Sequence, residues 1–328
     1  MTNFQGKSRM SQSGVLASVS VCICTRNRAG SLKQTIASIL ESNVHSDRFV
    51  ELLIIDNDSS DATQAVIGQY VNHSLPVRTV IEQRLGLSAA RNRAISESQC
   101  DILIFTDDDV IVPRDWIEGI ASMYQDPAVH AVQGRIHLHD DVRKPWMETI
   151  HLQFLAVFDC PNADSLTGAN MSMRRSSILA LGGFDETYGP GTERAFGDDT
   201  IIGFRMANKH GEIPIYKGNP VIHHPETSRL TRSALFGRID KQVDVELAIR
   251  REQGLGYPRQ ALRPVWINQL LFWAKVIRER IFHPASPATE AEICARRSVA
   301  LSLAVQRERN QRLSGPVGFF GIFAKPTT

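Results

Sequence analysis

Long uninterrupted apolar stretches are absent from this sequence of 328 residues. The nearest candidate, residues 265–282, contains Lys275, Arg278, Glu279 and Arg280, whereas a membrane-spanning helix needs about 20 predominantly apolar residues. The first 18 residues are polar and rich in serine, without the apolar block of a secretory signal. We therefore expect a protein that does not cross a bilayer, with residues 1–17 as a disordered lead.

A strong charge of either sign and paired cysteines are also absent. The formal net charge is only +2, so charge gives no indication of a nucleic-acid partner, and we expect none. The five cysteines include no CxxC pair, which is typical of reduced thiols in the cytoplasm. The sequence is 42% hydrophobic and 22% charged, as in an ordinary globular protein that can bury a sizeable core.

Two nucleotide-binding signatures are missing, while an alternation of strands and helices is present. No GxGxxG follows the first strand and no GxxxxGK[ST] occurs, which argues against a dinucleotide site and a P-loop. Apolar strand patterns cover residues 19–24, 51–55, 77–81 and 101–105. Helical patterns start at Ser31, in a capping box with Gln34, and at Asp61, and cover residues 87–98. This alternation predicts an α/β domain over residues 18–228 with a mainly parallel central sheet.

Polar residues follow each early strand. The first strand leads into Thr25-Arg26-Asn27-Arg28, the second into Asp56-Asn57-Asp58, and the fourth into Asp107-Asp108-Asp109. Ligands of open parallel sheets bind at the carboxyl ends of the strands, so these residues are expected to face one ligand. Three adjacent carboxylates suit Mg²⁺ or Mn²⁺ holding a diphosphate, because a hard cation screens their repulsion. The alternative is a solvated turn that leads into the next helix.

The second half of the sequence offers further candidates. Gly168-Ala169-Asn170 precedes a short helix, and a glycine-rich loop at residues 188–197 leads into Asp198-Asp199. A later strand closes with His223-His224. The structural alternative for Asp199 is a helix N-cap, which the GDDT sequence would also satisfy.

Six segments in register resemble family 2 glycosyltransferases. They are VSVCICTRNRAGSLKQTIASIL, ELLIIDNDSSDAT, GLSAARNRAI, FTDDDV, TGANMSMRRSSILALGGFDE and GDDTIIGFRM, and together they run from about residue 18 to residue 228. The resemblance implies a nucleotide-sugar-binding fold of the A type, a metal held by a DxD motif, and sugar transfer with inversion. The absence of a QxxRW motif further implies that one sugar is added per encounter.

The resemblance also assigns roles to the donor-side residues. Asp107 and Asp109 match the DxD pair, with Asp109 similar to the direct metal ligand and Asp107 or Asp108 facing ribose or phosphate. The cofactor implied is Mn²⁺ or Mg²⁺. Asp56 resembles the acid that contacts uracil, which favours a UDP-sugar. The nucleotide-sugar-binding residues implied are Thr25, Arg26, Arg28, Asp56, Asp58, Arg91, Asp107, Asp108, Gly168 and Asn170.

The acceptor side follows from the same resemblance. Asp198-Asp199 matches the family's catalytic acid pair, with Asp in place of the usual Glu at the first position, and Asp199 is similar to the general base. Family members often carry a metal-facing histidine at the close of the last strand, and only one of two neighbours in a strand can face the metal. Counting eight residues from Tyr216 favours His224, with His223 as the substitute. The acceptor expected is a hydroxyl of a glycan or a lipid-linked molecule.

Two other interpretations remain open at the level of sequence. FTDDDVIV also resembles the opening motif of haloacid-dehalogenase-type phosphatases, which would make Asp107 a phosphoryl nucleophile. That motif belongs on an early strand in those enzymes, which argues against the assignment. A catalytically dead sugar-nucleotide-binding protein is the second alternative, and the intact acidic motifs argue against it.

The C-terminal region, residues 229–328, is predicted to be helical and basic. Residues 229–312 contain 16 Lys and Arg against 8 Asp and Glu. Residues 265–277 form a mostly apolar helix with cations crowded toward its end, and residues 318–323 add an apolar patch. The region is expected either to pack on the catalytic domain or to rest on an anionic membrane surface, which would place the protein peripherally on the inner face of the membrane.

Overall fold

A computed structural model describes residues 16–160, 163, 165–192, 194–284 and 286–314, with the side chains of residues 311–314 left out. Most of the predicted lead and the apolar patch at residues 318–323 lie outside the described residues. Within this part of the chain, no helix is both long and apolar enough to span a membrane.

Eight strands form one sheet in the order β3-β2-β1-β4-β7-β6-β8-β5. The strands are β1 (Val19–Thr25), β2 (Val50–Asp56), β3 (Val77–Ile81), β4 (Ile102–Thr106), β5 (Val110–Ile111), β6 (Ala131–Leu138), β7 (Met171–Arg174) and β8 (Ile215–His223). The first four strands pair in parallel. β7 pairs antiparallel with both β4 and β6, and β5 pairs antiparallel with β8, so the sheet as a whole is mixed. The α/β fold class is confirmed.

Ten α-helices accompany the sheet in the described part of the chain. They are α1 (Ala29–Leu40), α2 (Thr63–Gly68), α3 (Leu87–Glu97), α4 (Trp116–Met123), α5 (Thr149–Phe154), α6 (Arg175–Leu179), α7 (Asp198–His210), α8 (Arg232–Glu252), α9 (Val265–Phe282) and α10 (Glu290–Ser314). α1 begins two residues before the predicted Ser31, and its N-cap Arg28 makes no side-chain capping bond. The Ser31 capping box is therefore wrong.

Helices cover both faces of the sheet, which explains why its central strands are apolar throughout. α1 and α4 pack on one face through Leu32, Ile36 and Trp116. α3, α6 and α7 pack on the other face, where a second cluster includes Ala90, Ile178 and Ile202. All seven residues of β2 are buried, as expected for a strand that is covered on both sides.

The C-terminal helices form a separate apolar cluster against α5. Leu235, Ile239 and Val243 of α8 meet Leu301 of α10 and Phe154 of α5 in this cluster. α9 lies against α10 and buries only Asn268, Phe272 and Glu279 within its own length. α8 also lines a cleft at the sheet edge, on the side away from this cluster.

Candidate active site

A cleft of about 990 Å³ opens at the carboxyl ends of β1 and β4. The loops that follow these strands supply one wall, and the starts of α3 and α7 supply another. Among the sequence-predicted residues, the cleft is lined by Thr25, Arg26, Arg28, Arg91, Asp107, Asp108, Asp109, Gly168, Asp198 and Asp199. This volume suits a ligand of nucleotide-sugar size.

The acidic triplet follows the last residue of β4 and lies at the base of the cleft. Asp108 Oδ2 accepts a hydrogen bond of 2.6 Å from Thr25 Oγ1, so β1 fixes the middle carboxylate. Burial raises the pKa of Asp108 to about 7, the Thr25 hydrogen bond opposes this shift, and the neighbouring acids add to it. Burial likewise raises the pKa of Asp107, and the Arg91 guanidinium counteracts part of this effect. The triplet is therefore a site of concentrated negative charge that a cation would relieve.

Asp109 and His223 face each other at the cleft floor with unsatisfied atoms. Asp109 Oδ1 lies 3.2 Å from His223 Nε2, yet neither buried atom has a hydrogen-bond partner among the described residues. His223 Nδ1 lies 2.7 Å from the Leu155 carbonyl oxygen, which can only accept, so Nδ1 donates. In neutral imidazole this leaves the lone pair on Nε2. Two acceptor atoms directed at one point fit a bound cation.

Asp107 completes this group. Its carboxylate oxygen, that of Asp109 and the ring nitrogen of His223 all lie within 4.8 Å of one another. Burial raises the pKa of Asp109, but a doubly protonated His223 ring 3.2 Å away and the Arg229 guanidinium, whose Nη2 lies 3.9 Å from Oδ2, more than offset it, so the pKa lies below its usual value. Two carboxylates with one imidazole suit Mn²⁺ or Mg²⁺, with Mn²⁺ accepting the nitrogen ligand more readily.

The structure corrects the choice between the two histidines. His223 is buried beside Asp109, whereas His224 lies on the exposed surface with His139 and Asp141 and does not line the cleft. Pairing between β6 and β8 advances two residues from Gly134 to Ile136 but five residues from Tyr216 to Val221. The bulge inserts an odd number of extra residues, three, and therefore reverses the alternation counted from Tyr216. The prediction of His224 is wrong for this reason.

Arg91 connects the triplet to the acid pair of α7. Its Nη1 forms a buried ion pair with Asp198, and its Nη2 lies 3.6 Å from Asp107 Oδ1. Burial opposes the charge of this guanidinium, but Asp198, Asp107 and Asp199 outweigh it and hold the pKa of Arg91 above its ordinary value. The guanidinium stands so close to the backbone of Gly168 that a side chain there would collide with it. Gly168 is thus required for packing against Arg91.

Asp198 and Asp199 begin α7 and have different environments. Asp198 is buried in the ion pair with Arg91, so it positions the arginine and does not face the cleft freely. Asp199 is only partly buried, and its Oδ2 accepts from the Gly168 amide at 2.8 Å while Oδ1 accepts from the Thr200 amide at 2.7 Å. Oδ1 also accepts from the Thr200 hydroxyl at 3.3 Å, so the lone pair that remains free is on Oδ2. Asp199 is the acid of this pair that can accept a proton from a bound ligand.

Three sequence-predicted binding residues do not line the cleft. The buried carboxylate of Asp56 accepts hydrogen bonds from the Ser59 amide and from the side chain of Gln64. Asp58 is exposed in a left-handed turn. Asn170 is fully buried, where it accepts from Trp116 Nε1 and donates to the Arg135 carbonyl. Their assignment as cleft residues is corrected: turn and core contacts occupy the polar groups of Asp56 and Asn170, and Asp58 lies on the exposed surface outside the cleft.

The cleft also contains residues that sequence reasoning missed. Asn57 lines it in place of its neighbour Asp56, and Arg229, Arg238 and Lys241 contribute positive charge from the C-terminal region. Burial and the nearby Arg229 lower the pKa of Arg238 to about 10, and no described group accepts a hydrogen bond from its Nε. The only signal in the sequence was the basic excess beyond residue 229. These cations add positive charge to the same cleft as the acids, which suits an anionic ligand.

Comparisons with known proteins identify the family of the chain. The family model "Glycosyl transferase family 2" matches residues 20–182. The chain is 24% identical over 218 residues to the glucosyl-dolichyl phosphate glucuronosyltransferase of Haloferax volcanii, covering 63% of this chain and 68% of the relative. It spans 47% or less of the length of several further curated relatives.

Solved structures show the same fold. A mannosyltransferase from Pyrobaculum calidifontis, in complex with GDP-Man and Mn²⁺, superposes with a TM-score of 0.52 at 19% identity, covering 91% of this chain and 76% of that one. S. aureus TarS 1-349 in complex with UDP-GlcNAc gives a TM-score of 0.52 at 11% identity, covering 88% and 92%. The fold of this chain is the one that these solved glycosyltransferases share. The chain belongs to glycosyl transferase family 2 and is a glycosyltransferase.

Proposed function

We propose that this enzyme transfers one sugar at a time, with inversion, from a UDP-sugar to a hydroxyl of a glycan or lipid-linked acceptor. The observation that carries the proposal is the facing pair of Asp109 Oδ1 and His223 Nε2 beside Asp107 at the floor of the cleft. The similar mannosyltransferase structure contains GDP-Man, so a GDP-sugar belongs in the test panel. The Haloferax volcanii relative is named a glucosyl-dolichyl phosphate glucuronosyltransferase, so a lipid-linked acceptor belongs there too.

Asp107, Asp109 and His223 would hold the cation. When bound, Mn²⁺ or Mg²⁺ supplies positive charge to the diphosphate of the donor and to the departing nucleoside diphosphate. The Thr25 hydroxyl orients Asp108 by a hydrogen bond, and the Arg91 guanidinium, 3.6 Å from Asp107 Oδ1, positions Asp107. Arg229 and Arg238 line the cleft where further negative charge can be compensated. These side chains therefore bind and orient the donor.

Asp199 would act on the acceptor. The acceptor oxygen attacks the anomeric carbon, the bond from that carbon to the phosphate oxygen breaks, and the hydroxyl proton passes to Asp199. The Gly168 and Thr200 amides fix the carboxylate without occupying all of its lone pairs. Attack on the face opposite the leaving group inverts the configuration. The free thiols of all five cysteines support a cytoplasmic location, and the surface argued below supports the inner face of the membrane.

A donor panel tests this proposal. We expect release of nucleoside diphosphate from one of a set of UDP-, GDP- and dTDP-sugars in the presence of Mn²⁺, and loss of that release in EDTA. Asp199→Asn should bind the same donor as tightly as the wild type, yet turn it over to an added acceptor about 10²–10⁴-fold more slowly. Glu212→Gln, on the exposed loop after α7, is the matched control. Turnover of Asp199→Asn within a few-fold of the wild type would leave Asp199 as a helix cap only.

A further inference from the structure

One face of α9 remains apolar and exposed in the described structure. Trp266, Leu270, Trp273, Ile277 and Ile281 are each 59% to 68% exposed. Their spacings of four, three, four and four residues place them in a single row along the helix. A row of this length on a soluble surface is unusual, because monomeric proteins rarely expose large contiguous apolar patches. It marks a surface that meets something else.

The opposite side of α9 accounts for the packing of the helix, so the row is not needed to hold it in place. Asn268 donates hydrogen bonds to the Gln260 and Ser298 carbonyls, and Phe272 packs edge to face against Phe236 of α8. Glu279 is buried and pairs with Arg278, whose guanidinium lies 2.8 Å away. The single acid of α9 is thus turned inward and neutralised.

A groove beside the row combines apolar walls with positive charge. It has a volume of about 470 Å³ and runs between α9 and α10. Leu271, Ala274, Ala291 and Ala295 give it apolar surface, and the cations Arg263, Lys275 and Arg278 line it as well. The residues from 255 to 284 contain five Lys and Arg and one Glu. Apolar walls beside cations match an acyl chain beside a phosphate headgroup.

We propose that the α9 face, defined as the exposed row from Trp266 to Ile281 together with this groove, docks on an anionic phospholipid bilayer. Tryptophan is favoured at the boundary between headgroups and acyl chains, and cations next to it are attracted by the negative surface potential. The helix would lie in the plane of the interface with its apolar row inserted. The inference is independent of the donor and acceptor of the enzyme.

Charge distinguishes this partner from the other possible occupants. A second copy placed face to face would bring the same cations together, which opposes association. Residues 315–328 contain one lysine and no acid, so they cannot neutralise the cations around the groove. An anionic bilayer satisfies the apolar row and the cations at once.

Co-sedimentation of the full chain with vesicles tests the proposal. We expect binding to an equal mixture of phosphatidylglycerol and phosphatidylcholine, weakened by salt, and much weaker binding to phosphatidylcholine alone. Arg263→Gln/Lys275→Gln should lower the partition coefficient about 30-fold, since each cation near an anionic surface contributes about 1 kcal/mol. Trp273→Ser/Ile277→Ser should lower it at least about tenfold, because the inserted apolar area is lost.

Matched controls carry the same chemical changes elsewhere on the surface. Phe49→Ser and Arg114→Gln alter an exposed aromatic residue and an exposed cation remote in sequence from α9, and both should bind vesicles like the wild type. Equal thermal melting of all variants shows that each is folded. Failure of the full chain to bind vesicles would overturn the proposal. Binding as tight as that of the wild type by both Arg263→Gln/Lys275→Gln and Trp273→Ser/Ile277→Ser would overturn it as well. Vesicle binding that appears only after removal of residues 315–328 would overturn the proposal in favour of that segment as the occupant of the α9 face. A dimer that is abolished by Trp273→Ser/Ile277→Ser, without vesicle binding, would overturn it in favour of a second copy.

Discussion

Arg91 and Asp198, which are 107 positions apart in the sequence, form a buried ion pair in the wall of the cleft. The pair joins α3 to the start of α7, and the same guanidinium reaches toward Asp107 at the end of β4. One side chain therefore couples the position of the acidic triplet to that of the acid pair. A buried pair of this kind is costly to break on one side only, because the remaining charge loses its partner.

Arg91→Met should destabilise the enzyme strongly. Removal of the guanidinium leaves Asp198 buried without its cation, which costs about 3–5 kcal/mol in the free energy of unfolding. Chemical denaturation measures the change. Arg93→Met, on the same helix but 42% exposed in its side chain, is the control and should stay within about 0.5 kcal/mol of the wild type. Equal changes in the free energy of unfolding for the two substitutions would show that the Arg91–Asp198 pair does not stabilise the fold.

His223→Ala and His224→Ala should differ in their affinity for Mn²⁺ at the cleft. We expect His223→Ala to weaken Mn²⁺ binding about tenfold or more, because it removes a nitrogen ligand beside Asp109. His224→Ala should bind Mn²⁺ at the cleft like the wild type, since its ring stands with His139 outside the cleft. Titration of the unbound Mn²⁺ signal by electron paramagnetic resonance measures both. Equal losses in the two variants would contradict the placement of the strand.

Asp108→Asn should stabilise the metal-free enzyme in a pH-dependent manner. The pKa of Asp108 is about 7 in the folded state and about 4 in an unfolded chain. The folded state therefore binds more protons between these values, and the contribution of this group to stability falls as the pH rises from about 4 to about 7. The amide removes that loss, so the gain should be near zero at pH 4 and about 4 kcal/mol at pH 8, at about 1.36 kcal/mol per pKa unit.

Denaturation of the wild type and Asp108→Asn in EDTA across this pH range measures the gain. Asp140→Asn, an exposed acid in the turn after β6, is the control for removing one negative charge. A gain that is constant with pH would show that Asp108 titrates normally.

The order of strands and helices could be predicted because it depends on local patterns. The parallel strands β1 to β4 and the helices between them follow directly from apolar runs and amphipathic periodicity, within one or two residues of the observed bounds in most cases. The acidic triplet and Asp199 could also be predicted as site residues, because strand ends of a parallel sheet converge. The antiparallel pairings of β7 could not be predicted from the sequence, since they depend on which distant strands meet.

The errors at the site have tertiary causes. The His223–His224 choice depended on a bulge in β8 that no residue pattern reveals. The carboxylate of Asp56 is engaged by Ser59 and Gln64, and Asn170 is engaged by Trp116, so polar side chains at strand ends serve the turn and the core. Arg238 and Lys241 enter the cleft because α8 folds back over it. Helix docking of this kind brings together residues that sequence proximity does not connect.

The most direct test of the account is calorimetric binding of UDP and GDP with Mn²⁺ and in EDTA, for the wild type, Asp109→Asn and Asp141→Asn. Asp141 stands in the exposed cluster with His139 and His224, so its substitution controls for loss of an acid near a histidine outside the cleft. We predict that Mn²⁺ strengthens binding of one nucleotide at least about tenfold, that Asp109→Asn removes this gain, and that Asp141→Asn retains it. Equal affinity in Mn²⁺ and EDTA, or a gain that survives Asp109→Asn, would contradict a metal-dependent nucleotide-sugar site at Asp109 and His223.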